Sequence, residues 1–359
     1  MSENADEAII KGTKRNKLME KKNIEWSQLA FAYMPVDYRF VAHWKDGAWD
    51  EGSITSDPNV TISECAGVLQ YAQTCFEGLK VYTQKNGDIV AFRPDLNAAR
   101  LQDSAKRLLV PEVSSEMFLR GLDELVKANA AWVPPYGSGA TLYIRPFIFG
   151  SGPVIGVAPA PEYEFRILAT PVGPYFKGGV KPIRIMVSDY DRAAPHGTGH
   201  IKAGLNYAMS LYPGDLAHKL GFSENMYLDA ATRTYVEETG GANFLFVTKE
   251  GKIVTPKSPT ILPSITRRSL IYVATELLGM EVEERPVAFT EVKDFAEVGL
   301  CGTAAVISPI GSITYKDGVI EVPSGMDSIG PVLGKLRNTL TGIQEGDIEA
   351  PEGWIRKIC

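Results

Sequence analysis

Hydrophobic and polar positions follow two periods along this chain. Residues 88–92 are apolar enough for a strand, and Leu96, Leu101, Ala105 and Leu108 then recur near the helical period, so a helix is expected to follow Arg93-Pro94-Asp95. A second helix is expected over residues 115–131, with Phe118, Leu122, Leu125 and Val126 on one face and Pro134 beyond its end. Residues 141–149 and 163–172 are β-rich. Beyond a stretch dense in glycine and proline, residues 182–188 read as a buried strand, and residues 225–254 alternate β runs with turns, including Lys249-Glu-Gly-Lys252. The clearest helix spans residues 266–278, where Leu270, Val273, Ala274, Leu277 and Leu278 keep one face and Gly279 supplies the stop. The pattern predicts a mixed α/β (α+β) fold in two domains. A smaller N-terminal α/β domain takes residues 1–171, with 1–25 as a loose arm; residues 172–179 form an interdomain loop, and a larger β-rich α/β domain takes residues 180–359.

Composition narrows the partners. With 45% hydrophobic and 22% charged residues, the 359-residue chain has material for two cores. A net charge of −6 offers no basic face for nucleic acid or an anionic membrane. No apolar run approaches the roughly 20 residues of a membrane-spanning helix, and residues 2–23 are too polar for a signal peptide. Cys65, Cys75, Cys301 and Cys359 show no CxxC spacing, which points to a reducing, cytoplasmic setting.

The least ordinary stretch is Ala194-Pro-His-Gly-Thr-Gly-His-Ile-Lys-Ala-Gly-Leu-Asn-Tyr207, a glycine-punctuated loop around one lysine. Lys202 stands beside Ile201, Ala203 and Gly204, with little neighbouring charge. Partial desolvation there would favour the neutral amine that Schiff-base chemistry needs, the alternative being a solvated loop lysine. His196 and His200 have metal-ligand spacing only on a helix, which Gly197 and Gly199 oppose, so no metal is expected. Three places could hold a phosphate. Leu262-Pro-Ser-Ile-Thr-Arg267 leads into a helix, Gly302-Thr303 joins two β runs, and Arg100 sits one turn into a helix. Glu237 and Glu238 precede a tight turn. Together these are the amine, carboxylate and anion cradle that pyridoxal phosphate requires. A cofactor-free Schiff-base aldolase would leave Glu238 and the cradle idle.

In ordered motifs from about Phe31 to Ile310, the chain resembles the branched-chain aminotransferases, fold-type IV pyridoxal-phosphate enzymes. The motifs are Tyr71-Ala-Gln-Thr-Cys-Phe-Glu-Gly-Leu-Lys80, Phe92-Arg-Pro-Asp-Leu-Asn-Ala-Ala-Arg100, Leu142-Tyr-Ile-Arg-Pro146, Pro171-Val-Gly-Pro-Tyr175, Lys202 with Tyr207, Glu238 with Asn243, Ile261-Leu-Pro-Ser-Ile-Thr266 and Gly302-Thr-Ala-Ala305. D-amino-acid aminotransferase and aminodeoxychorismate lyase share the lysine and the glutamate; the Leu142 and Pro171 motifs favour the branched-chain type. The resemblance implies that Lys202 forms the Schiff base and shuttles a proton, that Glu238 binds the pyridine nitrogen, and that Tyr207 bonds the phenolic oxygen. It gives the phosphate to Arg100, Thr303 and the amides of Ile265 and Thr266, and packs Leu262 on the ring. The implied substrate pocket takes Phe31, Tyr143, Tyr175, Gly241, Ala304 and Ala305, and from the partner subunit Tyr71, Ile155 and Val157, so a homodimer is the minimum unit. Arg145, two residues from Tyr143 on one strand, should share its face and meet the γ-carboxylate of glutamate. Reversible transfer between leucine, isoleucine or valine and 2-oxoglutarate is the implied reaction. Two departures stand out. Ala305 and Ser308 occupy the positions of a CxxC redox pair found in mammalian members, so no disulfide switch is expected, and Ser264 stands where glycine is common.

Overall fold

The longest antiparallel pairing among the described residues joins two of the β-rich runs. In this computed structural model, which describes residues 20–174, 176 and 179–359, strands Thr141–Gly150 and Tyr163–Val172 pair antiparallel from Thr141 opposite Val172 to Gly150 opposite Tyr163. Period-two alternation sends Leu142, Ile144, Ile148, Phe165 and Ile167 inward, each fully buried. Around this hairpin lies a nine-stranded sheet. Strands Thr74–Phe76 and Leu79–Thr83 both pair with Thr141–Gly150, and Ile89–Phe92 pairs with Leu79–Thr83. Helices Pro94–Arg107 and Ser115–Ala128 cover one face through Leu101, Phe118, Leu122 and Leu125. The second helix begins at Ser114, whose hydroxyl accepts from Met117 N at 3.1 Å.

A second, eight-stranded sheet is built from the latter half of the chain. Its centre is Asn243–Val247, Glu297–Gly302 and Val306–Tyr315, joined antiparallel. Ile183–Val187 is not the uniformly buried strand expected, because it alternates an exposed Arg184 with a buried Ile185. The Lys249-Glu-Gly-Lys252 turn connects Asn243–Val247 to Ile253–Pro256 with Gly251 at φ +85°, a conformation glycine adopts without strain.

The helix expected at 266–278 differs in its second half. It is α-helical over Ile265–Tyr272 and widens to a π-turn over Val273–Leu277. The Thr275 hydroxyl donates to the carbonyl of Ile271 at 3.2 Å, and Leu278 N reaches back five residues to Val273 O at 3.0 Å. Two helices carry no pattern read in the sequence, Gly204–Lys219 and Pro331–Glu345. The final strand, Ile355–Lys357, returns to the first sheet beside Ile89–Phe92, so residues assigned above to the larger domain end on the other sheet. Of the arm expected at 1–25, residues 1–19 lie outside the described residues, and the remainder contacts the first domain. Lys22 N bonds Ala131 O at 2.9 Å, in the turn after the 115–128 helix, and its ammonium pairs with Asp37 at 3.1 Å.

Candidate active site

Lys202 stands where the two sheets meet. Its N–H donates to Ser104 Oγ at 3.0 Å, and its carbonyl accepts from Phe76 N at 3.0 Å. The helix Gly204–Lys219 starts two residues later and carries Tyr207 on its first turn. There the Lys202 Nζ donates to Tyr207 Oη at 2.6 Å and lies 4.7 Å from the Phe76 ring centre. The loop before it is irregular, as Gly197 and Gly199 suggested, and His196 and His200 are exposed. Gly199 has no substitute there, since a Cβ would collide with Thr260 O and the Arg192 guanidinium. Among the described residues no group of side chains could hold a metal.

Glu238 faces the same cavity, of about 380 Å³. Its Oε1 pairs with Arg192 Nη2 at 3.0 Å and accepts from Leu262 N at 3.1 Å, and its Oε2 accepts from Asn243 Nδ2. Burial pushes its carboxyl up to about 7, against the downward pull of Arg192, the Leu262 amide and Lys202. Glu237 turns the other way and accepts from the hydroxyls of Thr260 and Ser258.

The anion cradle lies at the cavity's far side. Ser264 caps the Ile265–Tyr272 helix by accepting from Arg267 N at 3.1 Å. The first-turn amides of Ile265 and Thr266 therefore have no partner inside the helix. Thr303 sits in the turn after Glu297–Gly302, its hydroxyl 3.4 Å from Gly78 O. Arg100 is buried and already engaged. Its Nε and Nη2 grip Glu77 at 2.7 and 2.8 Å, and its Nη1 reaches Pro263 O at 2.9 Å. Although burial disfavours its ionised form, the Arg100 guanidinium holds the wholly buried Glu77 carboxyl below the usual range, with Lys202 adding to the pull. The expectation of little charge around Lys202 is thus corrected. Glu77 and Glu238 both feel it, because folding brings carboxylates to it from far along the chain.

On the opposite wall, Phe31 meets Tyr143 edge-on with ring centres 5.2 Å apart. Gly78 makes room for Tyr143, as a Cβ there would strike the phenol oxygen. Arg145 does share that face. Its Nη2 donates to Tyr143 Oη at 2.9 Å, its guanidinium lies 4.7 Å from the Phe76 ring centre, and its buried Nε has no partner. Leu262, Ile265, Gly241, Thr303 and Ala304 line the cavity; Ala305 follows in the same turn but does not. Thr266 lies just behind, bordering a small void with Thr303. Tyr71, Ile155 and Val157 lie outside this chain's cavity, with Tyr71 Oη donating to Ile155 O and Val157 90% exposed. Tyr175 falls outside the described residues.

Sequence reasoning left Arg192 and Glu77 without roles. Glu77 carried a usable signal, since an acid inside the apolar run Cys75-Phe-Glu-Gly-Leu79 asks for a buried cation. Arg192 carried none, its partners Thr260 and Glu238 being remote in sequence. Cys301 lines the cavity as a free, buried thiol, pushed up to about 12 by burial and so poorly nucleophilic.

Comparison with known proteins agrees with this geometry. The family described as amino-transferase class IV matches residues 74–313. Over 342 residues, 94% of this chain and 99% of the relative, the sequence is 52% identical to the branched-chain-amino-acid aminotransferase of Haemophilus influenzae. The crystal structure of the Escherichia coli branched-chain amino acid aminotransferase superposes with a TM-score of 0.77 at 30% identity, covering 90% of this chain and all of that one (100%). That of the branched-chain amino acid aminotransferase from Thermobaculum terrenum, in its PLP form, gives 0.77 at 26% identity, over 91% of this chain and 100% of that one.

Proposed function

The chain belongs to the class IV amino-transferases, and among them to the branched-chain-amino-acid aminotransferases, and from that premise we propose a division of labour for the residues of its cavity. It is a pyridoxal-phosphate-dependent, two-sheet α/β enzyme of fold type IV that transfers the amino group of L-leucine, L-isoleucine or L-valine to 2-oxoglutarate, giving a branched 2-oxo acid and L-glutamate. One observation carries the assignment of roles: the Lys202 side chain, the Tyr207 phenol, the buried Glu238 and the helix start at Ser264 and Ile265 all border one cavity.

The residues present fit the cofactor. Glu238 holds a proton affinity near neutrality beside Asn243, whose buried Oδ1 has no partner. Arg100 uses three of its N–H donors on Glu77 and Pro263, and a guanidinium has two more. Bound pyridoxal phosphate supplies an aldehyde carbon for the amino group and a ring that takes up the electron pair left when the Cα proton departs.

The protein's part follows from the geometry. Lys202 receives the proton from the substrate Cα and returns it on the product side, and Tyr207 fixes the direction of its Nζ. Glu238, steadied by Arg192 and Asn243, keeps the proton on the pyridine nitrogen. Arg100, Thr303 and the amides of Ile265 and Thr266 hold the phosphate, with Leu262 against the ring. Phe31 and Tyr143 form the apolar wall for leucine, isoleucine and valine, beside the Gly241, Ala304 and Ala305 turns and Tyr175. Arg145, with an unpaired Nε and no ion-pair partner among the described residues, takes the γ-carboxylate of glutamate. A homodimer completes the site, the partner subunit's Tyr71, Ile155 and Val157 closing the open side. A cytoplasmic location accords with four free cysteines.

The test is a purified protein supplied with pyridoxal phosphate and 2-oxoglutarate. Leucine, isoleucine and valine should each shift the cofactor's visible absorbance and yield glutamate. Lys202→Ala should lose that absorbance and roughly four orders of magnitude of turnover. Near-normal transamination by that variant would remove the basis of the whole assignment.

A further inference from the structure

Phe31, Tyr143 and Arg145 border two cavities, not one. The first is the site just described, of about 380 Å³. The second, of about 270 Å³, lies behind Phe31 and is lined by Ala32, Leu168, Thr170 and Val172. Of the three shared side chains Phe31 is the most exposed, at 47%, although its ring edge abuts Tyr143.

The backbone around Phe31 is fixed on both sides. Gly173 N donates to Ala30 O at 3.4 Å, Thr170 Oγ1 donates to Ala32 O at 3.4 Å, and Met34 N donates to Thr170 Oγ1 at 2.8 Å. Gly173 also lies so close to Leu29 O that any Cβ would collide with it. The segment is thus stitched to the end of strand Tyr163–Val172, and what remains to Phe31 is rotation of its side chain between staggered wells. For a half-exposed ring that motion is fast.

Resting on the reading of the first cavity as the substrate site, we infer that Phe31 is a side-chain gate that sets the length of amino-acid side chain the enzyme accepts. With its ring on Tyr143, the wall closes behind leucine, isoleucine or valine. With its ring rotated away, a longer apolar side chain passes into the second cavity, between Leu168 and Val172. Small-molecule sites run from about 300 to 1,000 Å³. The first cavity, near the low end, has to take cofactor and amino acid together. Aryl and long unbranched side chains are the class that needs the added space. Glutamate does not, because Arg145 also borders the first cavity and can meet its γ-carboxylate there.

The experiment compares kcat/KM for phenylalanine, leucine and glutamate in the holoenzyme. Phe31→Ala should raise the phenylalanine-to-leucine ratio about tenfold, the scale on which apolar pockets discriminate. Leu168→Trp, filling the second cavity, should lower that ratio about tenfold while leucine and glutamate stay within about twofold. Ala32→Phe, at an exposed loop position, repeats the test should the tryptophan disturb folding. A crystal structure with 3-phenylpropanoate, phenylalanine without its amino group, should show the phenyl ring in the second cavity and the Phe31 ring rotated off Tyr143. An unchanged ratio in the filled variants, or a fixed Phe31 with the phenyl elsewhere, overturns the gate while leaving transamination of leucine intact. Equal losses for phenylalanine and leucine also overturn it, making the second cavity a structural feature. Failure of the unaltered enzyme to transaminate leucine would instead sink the functional assignment, and the gate with it.

Discussion

Glu237 and Glu238 are adjacent, both buried, and engage different partners on either side of the backbone just before the turn to Asn243. Glu237 is satisfied by two hydroxyls, whereas Glu238 meets the cavity with its carboxyl pushed up to about 7 by burial. Glu238→Gln should therefore cut turnover by a hundredfold or so while cofactor affinity changes far less, and Glu237→Gln should leave kcat close to normal; the reverse result would place the assignment one residue off. The same carboxyl gives the cofactor-free protein a pH signature. A folded value of about 7 against an ordinary 4.5 means that the native state binds the extra proton between those pH values. Stability is then lost as pH rises through that window, by at most about 3 kcal/mol. Denaturant midpoints of Glu238→Gln should lack this part of the slope. Arg145 supports a third expectation. Its guanidinium rests on Phe76 with no carboxylate partner among the described residues, so Arg145→Ala should raise the KM for glutamate and 2-oxoglutarate about tenfold, the equivalent of about 1.4 kcal/mol, and that for leucine much less. Equal losses would mark it as a fold-supporting residue. At this scale Lys202 stood out by its loop, while Tyr207 and the choice of Glu238 came through the family's ordered motifs, and all three line one cavity. Arg192 and Glu77 were not legible, because a buried ion pair between remote segments leaves no mark on either segment alone.

Elements were legible where one face repeats a large apolar residue. The helices Pro94–Arg107 and Ser115–Ala128 bury leucines and a phenylalanine at helical spacing, and both were expected. Gly204–Lys219 buries Asn206, Pro213 and Ala217, small or polar residues that draw no apolar stripe, and it holds a proline in its interior. Periodicity has nothing to register there, yet this helix presents Tyr207 to Lys202. The helix start at 264–266 was legible through its anion-binding order of residues, and the structure adds what Ser264 does. Its hydroxyl caps Arg267 N, which leaves the two preceding amides free to point at an anion. Ser264→Ala should cost about 1 kcal/mol of local helix stability, and so weaken pyridoxal phosphate binding about fivefold. Ser264→Gly, which keeps cap geometry accessible, should lose only a few tenths of that energy. Cofactor titration of the apoprotein by absorbance checks both, and an alanine variant with unchanged affinity would mean that the cap plays no part in the cradle.

For the molecule as a whole, the sequence pattern distinguished two α/β parts but not how the chain closes them. The C-terminal strand returns to the first sheet through main-chain bonds between Ile355 and Phe92 and their neighbours, pairings that three residues at a chain end do not announce. The site itself sits between the sheets, with Lys202 hung from Ser104 on one side and facing Glu238 on the other. Its open side is where the proposed second subunit matters. Ile155 and Val157 are 77% and 90% exposed, and Leu69 beside Tyr71 is exposed too, an apolar edge suited to burial against another copy. If each site takes Lys202 from one protomer and Tyr71 from the other, two crippled variants can rescue one another. Lys202→Ala and Tyr71→Ala, each expected to be strongly impaired alone, should on co-expression form heterodimers in which one site inherits both defects and the other inherits neither. Random pairing puts half of the dimers in that mixed form, so activity should recover to about a quarter of normal. Sites complete within a single chain predict something different, since every chain would then carry one defect and mixing would recover nothing. Measuring kcat on the mixed sample, with light scattering to verify the dimer, decides between a shared site and two private ones.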